Sequence, residues 1–261
     1  MPAVLEARNL NKSFGAVTAA ADINARIEQD SVVGLIGSNG AGKTTFINMV
    51  TGYLTPSSGR VLYQGRDITG MQPRLICQLG ICRSFQIPQL FNTLSVLENL
   101  TIGVGIAARA MRIGPEARGT AQELKQAEAL VDRFNLAGYR TQAAGLLPEG
   151  VRKLLDIAMA VAGNPRVLLL DEPTSGVSAE EKFRLMDMVM GALKAQGVTV
   201  LFVEHDMEVV SRYTDRVLAF YEGRIIADGN PSVVLADAEV HRYVIGEQIQ
   251  TTRREGVGAT R

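Results

Sequence analysis

Alternating and continuous apolar stretches along the chain predict β-strands. Residues 4–10 and 23–27 alternate apolar and polar side chains, as half-buried strands do. Residues 31–36 are mostly apolar and end in a glycine-rich loop, and residues 167–170 are four apolar residues in succession. A continuous apolar run of this kind suits a central parallel strand that is buried on both faces.

Helical periodicity predicts the elements between these strands. A helix should run over residues 43–51, with Gly52 as its stop signal. The pattern over residues 95–138 is helical, and Ser95 and Glu98 have the spacing of a capping box. One face of this segment would carry the apolar residues Leu124, Ala127, Leu130, Val131 and Phe134.

Strands and helices alternate along the rest of the chain. This alternation predicts an α/β fold with helices packed on the faces of a sheet. The helical middle is then an insertion between two parts of one core. The remaining predicted strands lie at 61–63, 80–85, 198–203 and 217–221, and the remaining helices at 151–162, 179–195 and 207–213.

Composition and charge exclude several classes of protein. The 261 residues include 27 basic and 27 acidic side chains, so no net field favours nucleic acid or an anionic bilayer. No apolar run reaches the roughly 18 residues that a spanning helix requires, and residues 1–10 do not read as a signal peptide. Cys77 and Cys82 match no metal or redox spacing, so we expect two buried or incidental thiols. The polar tail 251–261 is expected to be disordered.

A glycine-rich loop at residues 37–44 fits the pattern G-x-x-x-x-G-K-[ST]. It follows an apolar strand and begins a helix, which is the context that a phosphate-binding loop requires. Its glycines let backbone N–H groups surround phosphate oxygens, and the start of the helix adds its dipole. Lys43 should reach the β- and γ-phosphates of a nucleotide, and the hydroxyl of Thr44 should bind Mg²⁺. The alternative is a chance glycine-rich turn.

Two carboxylates follow the apolar run 167–170. Carboxyl groups at the C-terminal end of a central strand lie where α/β sheets bind ligands. Asp171 can hold Mg²⁺, and Glu172 can orient the water that attacks the γ-phosphate and accept its proton. Acidic residues also end strands as solvated groups, but the phosphate-binding loop upstream favours the catalytic interpretation.

These motifs, with a glutamine between them and a histidine after the next strand, resemble the ATPase subunit of an ABC transporter. The resemblance extends to about residue 246 and is most specific at residues 37–44 and 168–176. It implies ATP and Mg²⁺ as cofactors and ATP hydrolysis as the activity. It also implies an α/β fold with a P-loop NTPase (RecA-like) core, a mainly parallel sheet, an N-terminal antiparallel β part and an inserted helical subdomain.

The resemblance also implies roles and boundaries. Gln86 would sense Mg²⁺ and the attacking water, and His205 would contact the γ-phosphate, although each taken alone would be an ordinary surface residue. Phe14 would stack on adenine, with a core phenylalanine as the alternative. The implied catalytic set is Glu172, His205 and Gln86, the metal set is Thr44, Gln86 and Asp171, and the nucleotide set is Phe14, Ser38, Asn39, Gly40, Ala41, Gly42, Lys43, Thr44 and Thr45. One ATPase domain would span 1–250, with its core at 1–87 and 155–246 and the helical subdomain at about 88–154.

The chain departs from the family at the signature segment, typically Leu-Ser-Gly-Gly-Gln, which reads Leu-Pro-Glu-Gly-Val over residues 147–151. Pro148 replaces the serine that would bind the γ-phosphate held by the other subunit, and proline has neither a hydroxyl nor an N–H. Glu149 and Gly150 complete the segment that acts on the partner's site. Ser178 stands where the family usually has an aspartate. A second ATPase subunit is implied as partner, identical or different, and the missing serine favours a different one with two unequal sites.

Finer features resemble the ATPases of branched-chain and hydrophobic amino-acid importers, and those of urea and amide importers. They are residues 80–91, the capping segment 94–99, the insertion 103–122 and the ending 243–246. This resemblance implies two transmembrane permease subunits, indirectly a solute-binding protein, no nucleic acid, and a peripheral position on the cytoplasmic face of the membrane. Exporter subunits, soluble ABC ATPases and non-ABC phosphate-loop enzymes are the alternatives.

Overall fold

A computed structural model describes residues 2–111 and 121–246 of the chain. These residues form two compact units, one made of those up to 72 and from 201 onward, the other made of those between 73 and 200. The tail 251–261 and part of the predicted insertion 103–122 lie outside the described residues.

The described strands and helices alternate along most of the chain. In chain order the strands are β1 (Ala3–Phe14), β2 (Val17–Glu28), β3 (Val32–Gly37), β4 (Ser58–Tyr63), β5 (Arg66–Asp67), β6 (Ile81–Ser84), β7 (Val167–Asp171), β8 (Thr199–Val203), β9 (Arg216–Tyr221) and β10 (Arg224–Gly229). The α-helices are α1 (Lys43–Val50), α2 (Pro73–Leu79), α3 (Val96–Met111), α4 (Ala121–Arg133), α5 (Glu149–Val161), α6 (Ala179–Lys194), α7 (Met207–Tyr213), α8 (Pro231–Val234) and α9 (Ala238–Val240). Short 3-10 turns at Ala137–Tyr139 and Ala144–Leu146 and a π-helical turn at His241–Ile245 complete the list.

The first unit contains an antiparallel sheet in the order β2-β1-β4-β5. It also holds β10, β9 and β3, where β9 lies between an antiparallel and a parallel neighbour. Every residue of β3 is buried, as expected of a central parallel strand. The ring of Phe46 on α1 packs on Phe220 of β9 with 5.6 Å between centroids, so α1 is held over this part of the sheet.

The second unit combines the parallel pair β6 and β7 with helices α2 to α6. The predicted capping box is confirmed, because Ser95 N donates to Glu98 Oε2 at 2.8 Å and Glu98 N donates to Ser95 Oγ at 3.2 Å. The buried amide of Asn99 adds bonds to the carbonyls of Phe91, Leu94 and Ser95, and its Oδ1 accepts from Phe91 N. The loop before α3 is therefore fixed by side chains rather than by a regular ladder.

Two details of the predicted helical segment 95–138 are wrong. Helix α4 ends at Arg133, and Asn135 adopts a left-handed conformation with φ 51°, which stops the helix. Leu124 does not share the buried face, since it is 44% exposed, whereas Ala127, Leu130, Val131 and Phe134 are buried as predicted. The buried position one residue earlier belongs to Glu123.

Several short elements have no counterpart in the prediction: α2, β5, β10, α8 and α9. Strand β10 is mostly half-buried along its length, so it lacks the alternation that marks a strand in sequence. Helix α2 has seven residues and buries only Ile76, which is too little for a period to emerge. Across residues 2–111 and 121–246, none of the helices combines the length and the apolar character needed to cross a bilayer.

Two glycines of the first unit offer a matched test of close packing. A Cβ at Gly59 would lie 2.2 Å from the Asn9 carbonyl oxygen, whereas a Cβ at Gly65 would have nothing within 4 Å, and both have positive φ. We expect Gly65→Ala to lower the free energy of unfolding by about 1–2 kcal/mol through backbone strain alone. Gly59→Ala should cost about 2 kcal/mol more, because backbone must move to admit the methyl group. Urea denaturation of both variants measures this, and equal losses would contradict the close contact.

Candidate functional site

The glycine-rich loop connects β3 to α1 in the first unit. Gly42, the residue before the helix, has φ 105°, and a Cβ there would lie 2.9 Å from the Ala19 carbonyl oxygen and 3.0 Å from Gly223 Cα. Only glycine fits this place, because backbone surrounds it and its conformation is left-handed. The loop is therefore anchored on β2 and on the turn between β9 and β10.

Lys43 lies beneath the loop rather than in solvent. Its side chain is buried, and Nζ donates to the carbonyl oxygen of Gly37 at 2.6 Å and to that of Ser38 at 3.0 Å. The opposite side of the loop is open, since Asn39, Gly40 and Thr44 are exposed while Ser38 and Thr45 are half-buried. This arrangement fits a triphosphate, because a fixed ammonium and the first turn of α1 adjoin an accessible edge.

Phe14 ends β1, and its side chain is 53% exposed. The alternative of a core phenylalanine is therefore wrong. The Lys12 Nζ lies 5.1 Å from the centroid of the ring, a cation–π distance. An exposed ring is suited to stacking on a base, and the adenine contact stays a prediction.

His205 follows β8 in the first unit and is half-buried. The next residue, Asp206, caps α7 by accepting from Glu208 N at 2.9 Å and Val209 N at 3.3 Å. His205 N also donates to the carboxylate of Glu204 at 3.2 Å. These bonds restrain the backbone around His205, so the Cα atom from which its imidazole extends is held at the end of β8.

The second unit brings Asp171 against a residue that the prediction did not select. Arg83 Nη2 donates to Asp171 Oδ2 at 2.5 Å, and the two side chains are only 8% and 12% exposed. The parallel register pairs Arg83 with Leu169 and Ser84 with Leu170, so the two charged residues extend from neighbouring strands. Removing one member of a nearly buried ion pair lowers the free energy of unfolding by about 3–5 kcal/mol. The pair with Arg83 therefore holds the carboxylate of Asp171, the predicted metal ligand, in place.

Gln86 and Glu172 meet in the second unit. The side-chain amide of Gln86 donates to Glu172 Oε2 at 2.8 Å. Glu172 has φ 49°, an uncommon conformation for a residue with a side chain, and such strain occurs often at functional positions. The buried ammonium of Lys153 donates to the Glu172 carbonyl oxygen and to Ser175 Oγ, both at 3.0 Å. Lys153 thereby stabilises the strained backbone beneath the carboxylate.

Asp156 holds the segment that carries Gln86. Its carboxylate accepts from Phe85 N at 3.3 Å and from Gln89 N at 2.8 Å, so it bridges both sides of the glutamine. Burial raises the pKa of the Asp156 carboxyl, while the two backbone donors and nearby Lys153 act to lower it. Lys153 and Asp156 lie three residues apart on α5, and both are buried beside its apolar face.

The signature segment opens α5. Pro148 is the residue before the helix, with φ −56°, and it supplies no side-chain cap. Gly150 lies in the first turn, and Glu149 has its carboxylate 3.9 Å from Arg152 Nε. Ser178 precedes α6 and donates its hydroxyl to Glu181 Oε2 at 3.0 Å. The helix amides after Pro148 are therefore presented without the hydroxyl that the family's serine would add.

Each unit thus assembles part of the predicted set. Within the first unit the loop residues and His205 follow the neighbouring strands β3 and β8. Within the second, Gln86 contacts Glu172 directly, and Asp171 contacts Arg83 instead of a predicted residue. The sequence signal for the two positioning residues on α5 is that Lys153 and Asp156 lie three residues apart, at helical spacing, among apolar residues. Nothing in the sequence indicated Arg83.

Comparison with known proteins agrees with these motifs. The family described as ABC transporter matches residues 20–175. The branched-chain amino acid transport ATP-binding protein BraF of Pseudomonas aeruginosa is 31% identical over 250 residues, covering 94% of this chain and 98% of that protein. The probable branched-chain amino acid transport ATP-binding protein LivG of Archaeoglobus fulgidus is 34% identical over 248 residues, covering 94% and 96%.

Solved structures give the same result. The ADP conformation of MJ1267, an ATP-binding cassette of an ABC transporter, has a TM-score of 0.83 at 31% identity and covers 93% of this chain and 98% of that one. The cbiO1 protein from Clostridium perfringens, part of the ABC transporter complex cbiONQ, has a TM-score of 0.80 at 30% identity and covers 93% and 94%. The predicted P-loop NTPase fold is confirmed. The chain belongs to the ABC transporter family, as one of its ATP-hydrolysing subunits.

Proposed function

We propose that this chain energises an importer of branched-chain amino acids, or of a similar small polar or amide solute, from the cytoplasmic face of the membrane. The proposed class of solute rests on the two relatives named above. BraF and LivG are branched-chain amino acid transport ATP-binding proteins, and each aligns with 94% of this chain. An exporter or a soluble role has no comparable support. The domain boundaries predicted from sequence remain part of the proposal.

Nucleotide binding is assigned to the loop of the first unit. Backbone N–H groups of residues 38–45 would surround the phosphates, and Lys43 would turn its ammonium from the loop carbonyls toward the β- and γ-phosphates. Phe14 would stack on the adenine, and His205 would contact the γ-phosphate. The metal ligands predicted from the sequence, Thr44, Gln86 and Asp171, carry hydroxyl, amide and carboxylate oxygens, the ligand types that suit Mg²⁺, and a bound ion would offset charge on the phosphates.

Hydrolysis is assigned to Glu172. Its carboxylate would orient the attacking water and accept a proton from it, and the amide of Gln86, 2.8 Å away, holds that carboxylate in position. Lys153 fixes the backbone below, so the base has one defined orientation. Asp156 in turn holds the loop of Gln86. The contacts that support the role of Glu172 as the base, from Gln86, Lys153 and Asp156, all lie within the second unit.

We propose that the second ATPase subunit has a different sequence from this chain. Pro148 offers the partner's nucleotide no hydroxyl, so the site completed by this chain loses at least one hydrogen bond to a charged acceptor, worth about 1.5–3 kcal/mol. A partner with a serine at that place would complete this chain's own nucleotide site normally. Two unequal sites follow from such a pairing.

Affinity purification from native membranes in mild detergent tests the assembly. With the tagged chain as bait, mass spectrometry should identify polytopic permeases and a second, different ATPase, because the chain itself has no spanning helix among its described residues. An untagged strain is the control. Proteoliposomes of the purified complex should then accumulate radiolabelled leucine when ATP is supplied. Recovery of soluble partners alone, or of no partner, would contradict the transport role.

Glu172→Gln should separate binding from hydrolysis. The amide keeps the shape of the side chain and cannot accept the proton, so phosphate release should fall about a hundredfold or more. Affinity for a fluorescent ATP analogue should stay within about twofold, because the loop of the first unit is unchanged. Lys43→Ala is the opposite control and should lose binding. Near-normal turnover in Glu172→Gln would remove it as the base.

Lys153→Met should lower turnover without lowering ATP affinity. The substitution keeps most of the buried volume and removes the donor to the Glu172 carbonyl and to Ser175. A loss of about 1.5–3 kcal/mol in positioning corresponds to roughly 10- to 150-fold in kcat. Lys194→Met, at an exposed position of α6, is the matched control and should leave kcat unchanged. A rise in KM with normal kcat would contradict the positioning role.

A further inference from the structure

The two cysteines of the chain touch each other. Cys77 lies on α2 and Cys82 on β6, and their sulfur atoms are 3.2 Å apart. The chain reverses direction between them at Gly80, whose φ of 107° permits the tight connection. Cys77 is exposed and Cys82 is buried, so one thiol of the pair can meet a solute and the other cannot.

The contact makes the two thiols chemically different. A hydrogen bond from Cys82 lowers the pKa of Cys77 to about 7, because the S–H stabilises a neighbouring thiolate. The same hydrogen bond, together with burial, raises the pKa of Cys82. An exposed thiol that ionises near neutral pH attacks as its thiolate, whereas a buried protonated thiol reacts only when it gives up its proton to a group that leaves in the same step. The pair therefore has an attacking and a resolving member.

Closure of a bond between them needs only a small motion. A disulfide has a sulfur–sulfur distance of about 2.05 Å, so the present separation of 3.2 Å must shorten by roughly 1.2 Å. The exposed Cys77 side chain can rotate toward Cys82. Helix α2 can also shift slightly, because it has seven residues and buries only Ile76. Cys82 keeps its place in β6, where it pairs with Leu168 of β7.

We propose that Cys77 and Cys82 form a reversible oxidation site for peroxides, closing to an intramolecular disulfide. The Cys77 thiolate attacks one oxygen of hydrogen peroxide, the O–O bond breaks, and Cys77 becomes a sulfenic acid, while the other oxygen leaves as hydroxide and takes a proton from solvent to form water. The Cys82 sulfur then attacks the Cys77 sulfur, the S–O bond of the sulfenic acid breaks, and the leaving hydroxyl takes the Cys82 proton and departs as a second water. Two thiols lose two electrons and the peroxide gains them; a dithiol reductant reverses the change by exchange. The bond would tie α2 to the strand that leads to Gln86.

Hydrogen peroxide added to the reduced, full-length chain tests the proposal. Intact mass should fall by two hydrogens, both free thiols should disappear together, and peptide mapping should find Cys77 joined to Cys82. Dithiothreitol should restore the starting mass. Gain of oxygen at Cys77 without the bond, linkage between chains, or two persisting thiols would each overturn it.

Serine variants assign the order of attack. Cys82→Ser should stop at a sulfenic acid on Cys77 that a 1,3-diketone reagent traps, and Cys77→Ser should keep its one buried thiol reduced. A third variant, Cys82→Ala, removes the hydrogen-bond donor, so its Cys77 should react with iodoacetamide about threefold more slowly at pH 7, since its thiolate fraction falls while each thiolate becomes more nucleophilic. Peroxide consumption by Cys77→Ser at the rate of the unaltered chain would overturn the assignment of Cys77. Circular dichroism of the three variants checks that they fold.

Discussion

The parallel register between β6 and β7 determines which side chains meet around Asp171 and Glu172, the proposed metal ligand and base of the second unit. Pairing of Ile81 with Val167 through Ser84 with Leu170 lets both strands end together. Arg83 and Gln86 consequently reach Asp171 and Glu172. Because strand side chains alternate between two faces, a slip of one residue would turn this set away from its partners. Such a slip is costly, because it would draw a charged neighbour of the buried run 167–170, Arg166 or Asp171, into a buried position.

Glu172 illustrates how a strained residue is kept in place. Its positive φ is unfavourable for any residue with a Cβ, and the surrounding contacts must offset that cost. Lys153 holds the carbonyl and Gln86 holds the carboxylate, so backbone and side chain are restrained separately. Asp156 extends the network to the glutamine's own loop. Helix α5, through Lys153 and Asp156, and the loop of Gln86 together orient the carboxylate of Glu172.

The sequence predicted the long elements and the family motifs because both have strong local signals. The apolar run before Asp171 and the capping box at Ser95 need no tertiary information. Short elements such as α2 and β10 bury too little to show a period, and Leu124 was misplaced because helical spacing alone does not say where a packed face ends. The roles of Arg83 and Lys153 depend on contacts between residues far apart in the chain. The contact between the two thiols likewise depends on the turn at residue 80.

The bonds from Lys43 to two carbonyls of its own loop have a thermodynamic consequence. Because these bonds hold the loop in shape, a nucleotide that binds does not have to order it. The conformational entropy of the loop is lost during folding and not on binding. The lysine, however, exchanges existing partners for phosphate, so its net contribution to affinity is a difference between two sets of bonds. The net gain is therefore smaller than the number of bonds to phosphate alone would give. A smaller net gain also favours the release of ADP, which an ATPase subunit needs before it can bind the next ATP.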